Sequence, residues 1–290
     1  MTKRRLKMSV IIGIDVGGST TKIVGIRRDG DKISLIEPQL VRANDPITAT
    51  YGAFGKFTDE NDLKISDIDE MMITGVGSSY VKRDLYGLKC HRVSEFDSIG
   101  RGGLYLSGFD EALVVSMGTG TAIVHAKADG TTTYLGGTGV GGGTLMGLSK
   151  LLLQAETIEH IEEYALEGDL SMIDLRIKDI TAKLGDTSGG NLADDLTASN
   201  FGNVSDVATK SDMARGILNM VYEAIAMVSV FAARYCGVRN IVLTGNLTRL
   251  ALCKPKFDEL NALYTDVNFV IPERAQYATV IGSTLTENKK

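Results

Sequence analysis

Residues 11–22 are IIGIDVGGSTTK, and residues 113–122 are LVVSMGTGTA. In both segments an apolar run rich in β-branched residues breaks at small residues and then resumes. A second turn follows each resumed run, as RDG at residues 28–30 and ADG at residues 128–130. This pattern is typical of two β-hairpins of one design and indicates a duplicated domain. Each tip offers backbone N–H groups and hydroxyls to a phosphate, so the pair predicts a nucleotide held between two halves.

The composition is that of a soluble globular protein. The chain has 290 residues, 43% of them apolar and 23% charged, enough for two domains or one large one. Its net charge of −5 disfavours nucleic acid as a partner, because phosphate binding relies on clustered lysine and arginine. The basic run at residues 3–7 is expected to be a solvated tail. No signal peptide and no apolar stretch of about 18 residues is recognised, so we predict a cytoplasmic protein without a membrane partner.

Cysteine and histidine usage predicts no metal centre built on these residues. Cys90, Cys236 and Cys253 form no C-x-x-C pair, which disfavours a disulfide framework and a zinc ribbon. The histidines at positions 91, 125 and 160 are scattered along the chain.

Strand and helix patterns follow the same order twice. The first half predicts three strands in a hairpin meander, a helix, two strands and a helix, at residues 8–14, 21–27, 33–41, 47–57, 71–75, 89–93 and 96–106. The second half predicts strands at 112–117, 122–127 and 131–135, a glycine run at 136–143 and a helix from 144 to about 154. A polar irregular connection at 185–203, a helix at 211–236, a strand at 241–246 and a last helix from about 275 follow. This order indicates a duplicated mixed α/β architecture.

The longest predicted helix, at residues 211–236, is interpreted as a core helix. Ser211 is its expected N-cap, and Gly237 is its expected C-terminal stop. The apolar face expected to be buried consists of Met213, Ile217, Met220, Val221, Ala224, Val228, Phe231 and Ala232.

The two hairpin tips carry the residue types that bind a phosphorylated ligand. Glycines let the backbone approach an anion closely. Asp15, at the end of an apolar strand, is placed to hold Mg²⁺ directly or through water, and Lys22 can neutralise phosphate charge. The second tip, residues 118–121, is expected to face the first. A plain hairpin with a capping aspartate is the alternative, and the second copy argues against it.

The glycine run at residues 136–143 leads into a helix and predicts a third anion site. It contains a formal G-x-G-x-x-G match at Gly137, Gly139 and Gly142, with Glu156 at a suitable distance for a dinucleotide site. A dinucleotide fold needs a strand before that acidic residue, whereas residues 144–165 predict helix throughout. We therefore disfavour that alternative.

Glu95 follows the strand predicted at residues 89–93. A carboxylate at the carboxyl end of a strand, beside a phosphate-binding cleft, can accept a proton from an attacking hydroxyl. An acid that only stabilises the start of a helix explains the residue equally well, and Asp97 is an equal candidate for the base.

With these motifs in place, the chain resembles the type II pantothenate kinases, members of the acetate kinase, sugar kinase, heat-shock chaperone and actin superfamily. The resemblance covers residues 12–285. It is carried by GIDVGG at 13–18, EFD at 95–97, GTGT at 118–121, the glycine run at 136–143, GD at 168–169 with IDL at 173–175, and DLTASNFG at 195–202.

The resemblance implies an actin-like, ribonuclease H-like ATPase fold of two domains, residues 1–108 and 109–290, with the nucleotide between them and the last helix packing back on the first domain. It implies ATP- and Mg²⁺-dependent phosphorylation of pantothenate for coenzyme A biosynthesis, in a homodimer, with Glu95 as the catalytic base. The implied ATP site comprises Asp15 (also the metal ligand), Gly17, Gly18, Ser19, Thr20, Thr21, Lys22, Thr119, Gly142, Gly143, Thr144, Leu145, Met146 and Asn246. The implied substrate site comprises Glu95, Thr119, Ala122, Tyr134 and Gly136.

Two positions depart from the family pattern on the substrate side. The family commonly has an arginine that meets the substrate carboxylate where this chain has Tyr134, and a serine where it has Ala122. Arg101 is one residue that could replace the missing cation. A kinase of another small alcohol therefore stays open as an alternative to a pantothenate kinase.

Two other classes of protein are disfavoured by the sequence. A non-catalytic nucleotide-binding protein is disfavoured because Asp15, Lys22 and Glu95 occur together. An ATP-fuelled activator of electron transfer needs cysteines for an iron–sulfur cluster, and the three cysteines show no such arrangement.

Overall fold

Two five-stranded mixed sheets of identical topology form the framework of the protein. The computed structural model describes residues 9–18, 20–29, 32–42, 45–184, 194 and 196–286, with only the backbone of residues 181–184. The first sheet contains β1 (Ser9–Val16), β2 (Thr21–Asp29), β3 (Lys32–Val41), β4 (Ile68–Thr74) and β5 (Cys90–Arg92). Their order across the sheet is β3-β2-β1-β4-β5.

The second sheet repeats this arrangement. It contains β6 (Glu111–Met117), β7 (Thr121–Lys127), β8 (Thr132–Thr138), β11 (Asn240–Thr244) and β12 (Asn268–Val270). Two further strands, β9 (Leu175–Arg176) and β10 (Thr197–Ser199), form a separate two-stranded sheet. The order is β8-β7-β6-β11-β12. In both sheets the first three strands pair antiparallel and the last two join in parallel. The duplication predicted from the two hairpins is confirmed.

Eight helices are described: α1 (Pro46–Glu60), α2 (Glu95–Ser107), α3 (Gly142–Leu153), α4 (Ile158–Glu167), α5 (Ile177–Leu184), α6 (Lys210–Cys236), α7 (Cys253–Leu263) and α8 (Ala278–Thr284). Helix α1 buries Phe54 and Phe57 on the first sheet. Helix α6 buries Tyr222 and Ile225 in the larger core of the second half. Each sheet therefore has its own hydrophobic core.

Helices α2 and α8 cross each other between the two sheets, and each packs on the sheet of the other half. Helix α2 follows the first sheet but packs on β6, β7 and β8, whereas the C-terminal α8 packs on β1, β2 and β4. Glycines permit the crossing, because a Cβ atom added to Gly102 would lie 1.8 Å from the carbonyl oxygen of Ala278. A Cβ atom added to Gly282 would lie 1.9 Å from the carbonyl oxygen of Ser98. The two backbones therefore touch where the halves meet.

Several boundaries differ from the sequence prediction. Strand β8 extends to Thr138, so the glycine run begins inside a strand. The helix predicted from residue 144 to about residue 154 is confirmed as α3. The expectation that residues 144–165 are helical throughout is wrong, because Gln154 adopts a left-handed φ of 61° between α3 and α4. Residues 247–274, which were left unassigned, contain α7 and the three-residue β12, which is too short to show a period. The predicted tail at residues 3–7 and most of the polar connection lie outside the described residues.

The longest helix was predicted correctly in extent but not in detail. The N-cap of α6 is Thr209, whose side chain accepts a hydrogen bond from the N–H of Asp212, rather than Ser211. Gly237 ends the helix in the left-handed conformation, as predicted. Val228 and Phe231 were expected in the core but are 40% and 59% exposed. Helix α6 packs on α3, α4 and α7 as well as the sheet, so one apolar stripe does not define its buried face.

Among the described residues, α6 is the one helix long and apolar enough to cross a membrane, although no apolar stretch of that length was expected from the sequence. In the fold, 61% of the most apolar 18-residue stretch of α6 is buried. A core helix meets the same criteria of length and composition.

The α2–α8 crossing predicts that two glycine substitutions change the free energy of unfolding in opposite directions. We expect Gly102→Ala to lower the free energy of unfolding by about 2 kcal/mol or more, because the new methyl group overlaps backbone. Gly52→Ala, at an exposed position of α1 with no atom within 4 Å of the added carbon, is the control and should raise it by up to about 1 kcal/mol. Chemical denaturation measures both, and equal stabilities would contradict the close crossing.

Candidate functional site

The tips of the β1–β2 and β6–β7 hairpins face each other across a cleft. A Cβ atom added to Gly18 in the first tip would lie 3.7 Å from Oγ1 of Thr119 in the second. Asn246, which follows β11, donates a hydrogen bond from Nδ2 to Oγ1 of Thr20 at 3.4 Å. The cavity between the tips has a volume of about 600 Å³. The structure thus brings together the two motifs that the sequence places about a hundred residues apart.

A buried pair of opposite charges lies below the first tip. The register of the hairpin places Asp15 directly opposite Lys22, and both residues are 7% exposed. Burial raises the pKa of Asp15, and the Lys22 charge partly opposes that shift. Burial lowers the pKa of Lys22, whereas the charges of Asp15 and Glu95 raise it. A desolvated carboxylate at the wall of a cleft is suited to a hard cation.

Glu95 is the first residue of α2 and lines the same cavity. Ser94 caps the helix by accepting a hydrogen bond from the N–H of Asp97. Burial raises the pKa of Glu95, the negative charge of Asp15 raises it further, and the Lys22 charge opposes both. A carboxylate with a raised pKa is a stronger base than an exposed glutamate, so Glu95 is suited to accept a proton near neutral pH.

Asp97 lies in a different environment. Its carboxylate accepts a hydrogen bond from the hydroxyl of Thr132 on β8, and it does not line the cleft. The structure therefore separates two acids that were equal candidates in the sequence.

Most of the residues assigned to the site from the sequence line the cleft: Asp15, Gly17, Gly18, Thr20, Lys22, Glu95, Thr119, Ala122, Tyr134 and Asn246. Thr21 is buried and does not line it. Gly136, at a φ of 129° in β8, also does not line it, whereas its neighbours Gly137, Thr138 and Gly139 do. Ser19 lies outside the described residues.

A second cavity of about 470 Å³ shares Thr20, Gly118, Thr119 and Asn246 with the first. Gly142, Gly143 and Met146 of α3 line it. Leu145 is fully buried in the core of the second half. Thr144 holds the glycine run, because its hydroxyl donates to the carbonyl oxygen of Gly139 at 2.9 Å.

The N-terminus of α3 braces the second hairpin tip. The N–H groups of Gly142 and Gly143 donate to the carbonyl oxygens of Gly118 and Thr119, each at 2.8 Å. These two N–H groups are therefore engaged within the protein, and the third anion site expected along residues 136–143 stays a prediction.

Sequence reasoning missed residues that the fold brings to the two cavities from distant segments. Val76, Ile99 and Thr279 line the cleft, and Arg42, Ile158, Arg249 and Leu250 line the second cavity. Arg249 lies close enough for its charge to lower the pKa of Lys22. None of these residues belongs to a motif, so the sequence carried no signal for them.

The aromatic ring of Tyr134 stacks on Phe96. Their centroids are 3.9 Å apart at an interplanar angle of 14°. Arg101 does not line either cavity; its Nη2 donates to the carbonyl oxygen of Gly130 at 3.4 Å. The suggestion that Arg101 replaces a cation at position 134 has no support in this geometry.

A family model described as Fumble matches residues 33–254 of the chain. A type II pantothenate kinase from Bacillus cereus is 30% identical over 258 residues, which cover 82% of this chain and 84% of that protein. A type II pantothenate kinase from Staphylococcus aureus is 28% identical over 245 residues, covering 81% and 84%.

Two solved structures share the fold. One is the activator of the 2-hydroxyisocaproyl-CoA dehydratase from Clostridium difficile with bound ADPNP, with a TM-score of 0.65, 15% identity and coverage of 95% of this chain and 93% of that one. The other is component A of the Acidaminococcus fermentans (R)-2-hydroxyglutaryl-CoA dehydratase, with a TM-score of 0.65, 16% identity and 96% coverage of both chains. At such identity the likeness shows the fold alone, the duplicated actin-like ATPase fold predicted from the sequence.

The charges of the cleft predict how Glu95 titrates. Asp15→Asn should lower the pKa of Glu95, because it removes a negative charge that raises this pKa while leaving the larger effect of burial in place. Carboxyl ¹³C NMR titration measures the change, with the exposed Glu163→Gln substitution as a control that should leave it unaltered. An unchanged or higher pKa of Glu95 in Asp15→Asn would contradict the coupling.

Proposed function

Because the chain belongs to the Fumble family and its curated relatives are type II pantothenate kinases, we propose that it transfers the terminal phosphoryl group of ATP to pantothenate, as a step of coenzyme A biosynthesis. One observation carries the proposal. A carboxylate with a raised pKa, Glu95, lines the same cleft as both hairpin tips. A kinase needs this combination, since it must position phosphates and accept a proton from the attacking alcohol.

The two cavities suggest how the substrates are arranged. The nucleoside of ATP occupies the second cavity, against Met146 and the glycines of α3, and its phosphates extend past Asn246 to the two tips. The pantothenate hydroxyl lies beside Glu95, in the part of the cleft beyond the tips. The shared wall of Thr20, Gly118 and Thr119 makes this one continuous path.

Glu95 removes the proton from the pantothenate hydroxyl as its oxygen attacks the γ-phosphorus of ATP. The new oxygen–phosphorus bond forms as the bond from that phosphorus to the β-phosphate oxygen breaks, and ADP leaves. Lys22 and the backbone of both tips stabilise the negative charge on the transferring group. Arg249 adds positive charge on the nucleotide side of the cleft.

Asp15 is the residue that would hold Mg²⁺, directly or through water, together with the phosphate oxygens of ATP. Its buried carboxylate, with a pKa raised by burial, is stabilised by a nearby cation. When bound, Mg²⁺ neutralises phosphate charge. Among the described residues no cluster of three histidine, cysteine, aspartate or glutamate side chains forms a resident metal site, as is common for magnesium that arrives with a nucleotide.

We further propose two domains, residues 1–108 and 109–290, with α2 and α8 each packed on the other domain, in a cytoplasmic homodimer. Val228, Phe231 and Tyr235 form an exposed apolar row on α6, at 40%, 59% and 86% exposure. Spacings of three and four residues place them on one side of the helix, where a second copy can cover them.

A second candidate is a kinase of a related hydroxyl compound. The observation in its favour is that Tyr134 and Ala122 line the same cleft as Glu95.

Glu95 and Asp97 give a matched pair of variants for the catalytic assignment. Glu95→Gln should lower kcat by about 10²–10⁴-fold, because the general base is lost, while ATP binding is kept. Asp97→Asn should retain most of kcat, because Asp97 lies outside the cleft. Pantothenate-dependent ADP release is the measurement. Undiminished turnover in Glu95→Gln would remove Glu95 as the base, and ATP binding without any pantothenate-dependent turnover in the wild type would exclude the substrate.

The proposed dimer is tested on α6. Phe231→Glu should convert the dimer to monomer in sedimentation equilibrium, because it places a charge in an apolar contact. Ile65→Glu, at another exposed apolar position in the first half, is the control and should leave the association unchanged. A wild-type chain that sediments as a monomer would contradict the proposal.

A further inference from the structure

The second cavity, next to the two hairpin tips, has a charged wall. Among the described residues, five charged side chains line it: Arg42, Glu156, Glu159, Glu162 and Arg249. Two of the glutamates have partners outside this lining, because Glu156 pairs with Lys150 at 3.4 Å and Glu162 accepts a hydrogen bond from the N–H of Ala251 at 2.5 Å. Glu159 instead pairs with a cation of the same wall, Arg42.

Arg42 belongs to the first half of the chain and lies at the tip end of its sheet. The register of β3 on β2 places Val41 opposite Thr21, and Arg42 follows directly. Thr20, the neighbouring residue in the first tip, lines both cavities. The side chain of Arg42 therefore begins beside the tip, where the proposed function places the phosphates of ATP.

The ion pair that holds Arg42 spans the two halves and is exposed. Its Nη2 donates to Oε1 of Glu159 in α4 at 3.0 Å, and the two side chains are 56% and 57% exposed. Exposed ion pairs of this kind contribute little to stability. Glu159 also lies in the first turn of α4, where the N-terminal end of a helix stabilises a carboxylate. The pair can therefore open at small cost.

A nucleotide competes well with Glu159 for this guanidinium. The five N–H donors of a guanidinium form a fork that binds phosphate oxygens in pairs. A triphosphate also carries several negative charges, whereas the carboxylate carries one. Arg42 thus gains more from a phosphate than from its present partner.

We propose that Arg42 binds the phosphates of the nucleotide, and that Glu159 holds its guanidinium until a nucleotide displaces the carboxylate. This inference rests on the proposed function, because it requires a nucleotide whose phosphates reach the tips. It does not depend on which acceptor is phosphorylated. Arg42 would be the cation that the first half contributes to the nucleotide cavity, in addition to Arg249 from the second half.

The test measures binding of the ATP analogue ADPNP with Mg²⁺ by isothermal titration calorimetry, without an acceptor. Arg42→Gln should raise the Kd about tenfold, because a charge-assisted contact with phosphate is lost. Glu159→Gln should lower the Kd about two- to fivefold, because the competing carboxylate is removed. An ion pair that only joined the two halves would make both substitutions act in the same direction, and that result would overturn the inference.

A double-mutant cycle separates competition from simple repulsion between Glu159 and the phosphates. In the Arg42→Gln background, Glu159→Gln should leave the Kd nearly unchanged. An equal gain with and without Arg42 would overturn the inference. Adenosine, which has no phosphate, should bind both single variants as it binds the wild type. A loss for adenosine in Arg42→Gln as large as the loss for ADPNP would exclude a phosphate contact.

A second ion pair between the halves gives the matched control. Arg274 and Glu37, also on β3, pair at 2.9 Å, and neither residue lines either cavity. Glu37→Gln should leave the Kd for ADPNP unchanged. An unchanged Kd in Arg42→Gln would overturn the inference alone. The expected pattern of Kd values without any pantothenate-dependent turnover would support the inference and overturn the proposed function, whereas a wild type that binds no ADPNP would overturn both.

Discussion

The crossing of α2 and α8 is the contact on which the geometry of this protein depends. Each helix leaves one sheet and packs on the other, and their backbones touch at Gly102 and Gly282. The crossing fixes the distance between the two sheets and therefore between the two hairpin tips. It also sets the position of Glu95, because α2 begins with that residue. A side chain at either glycine would separate the halves and move Glu95 away from the tips.

The chemistry of the cleft follows from charges held at low exposure. Burial destabilises the charged form of Asp15, and the charge of Lys22 stabilises it. The charges of Asp15 and Glu95 in turn stabilise the charged form of Lys22. The same negative charge on Asp15 helps to raise the pKa of Glu95. A phosphorylated ligand with its cation would favour the charged forms of these buried groups, because it supplies charges of opposite sign beside them.

The same fold serves different chemistry in its structural relatives. The dehydratase activators share the duplicated architecture at 15% and 16% identity, and a fold alone does not define a function. In this chain the local features of the cleft are a carboxylate at the start of α2 and a neighbouring Phe96–Tyr134 stack.

The hairpin motifs predicted the duplication because local alternation and turn residues suffice to form a hairpin, as the matched topologies of the two sheets confirm. Glu95 was a candidate base because it follows a predicted strand, and its residue chemistry did not distinguish it from Asp97. Only the tertiary structure separates them, since it pairs Asp97 with Thr132, a residue 35 positions away. The same is true of Val76, Ile99, Thr279 and Arg249, which reach the cavities from separate segments. Local spacing encodes strands, turns and hairpin tips, whereas desolvation, charge coupling and the far wall of a cleft depend on contacts between residues that the chain order keeps apart.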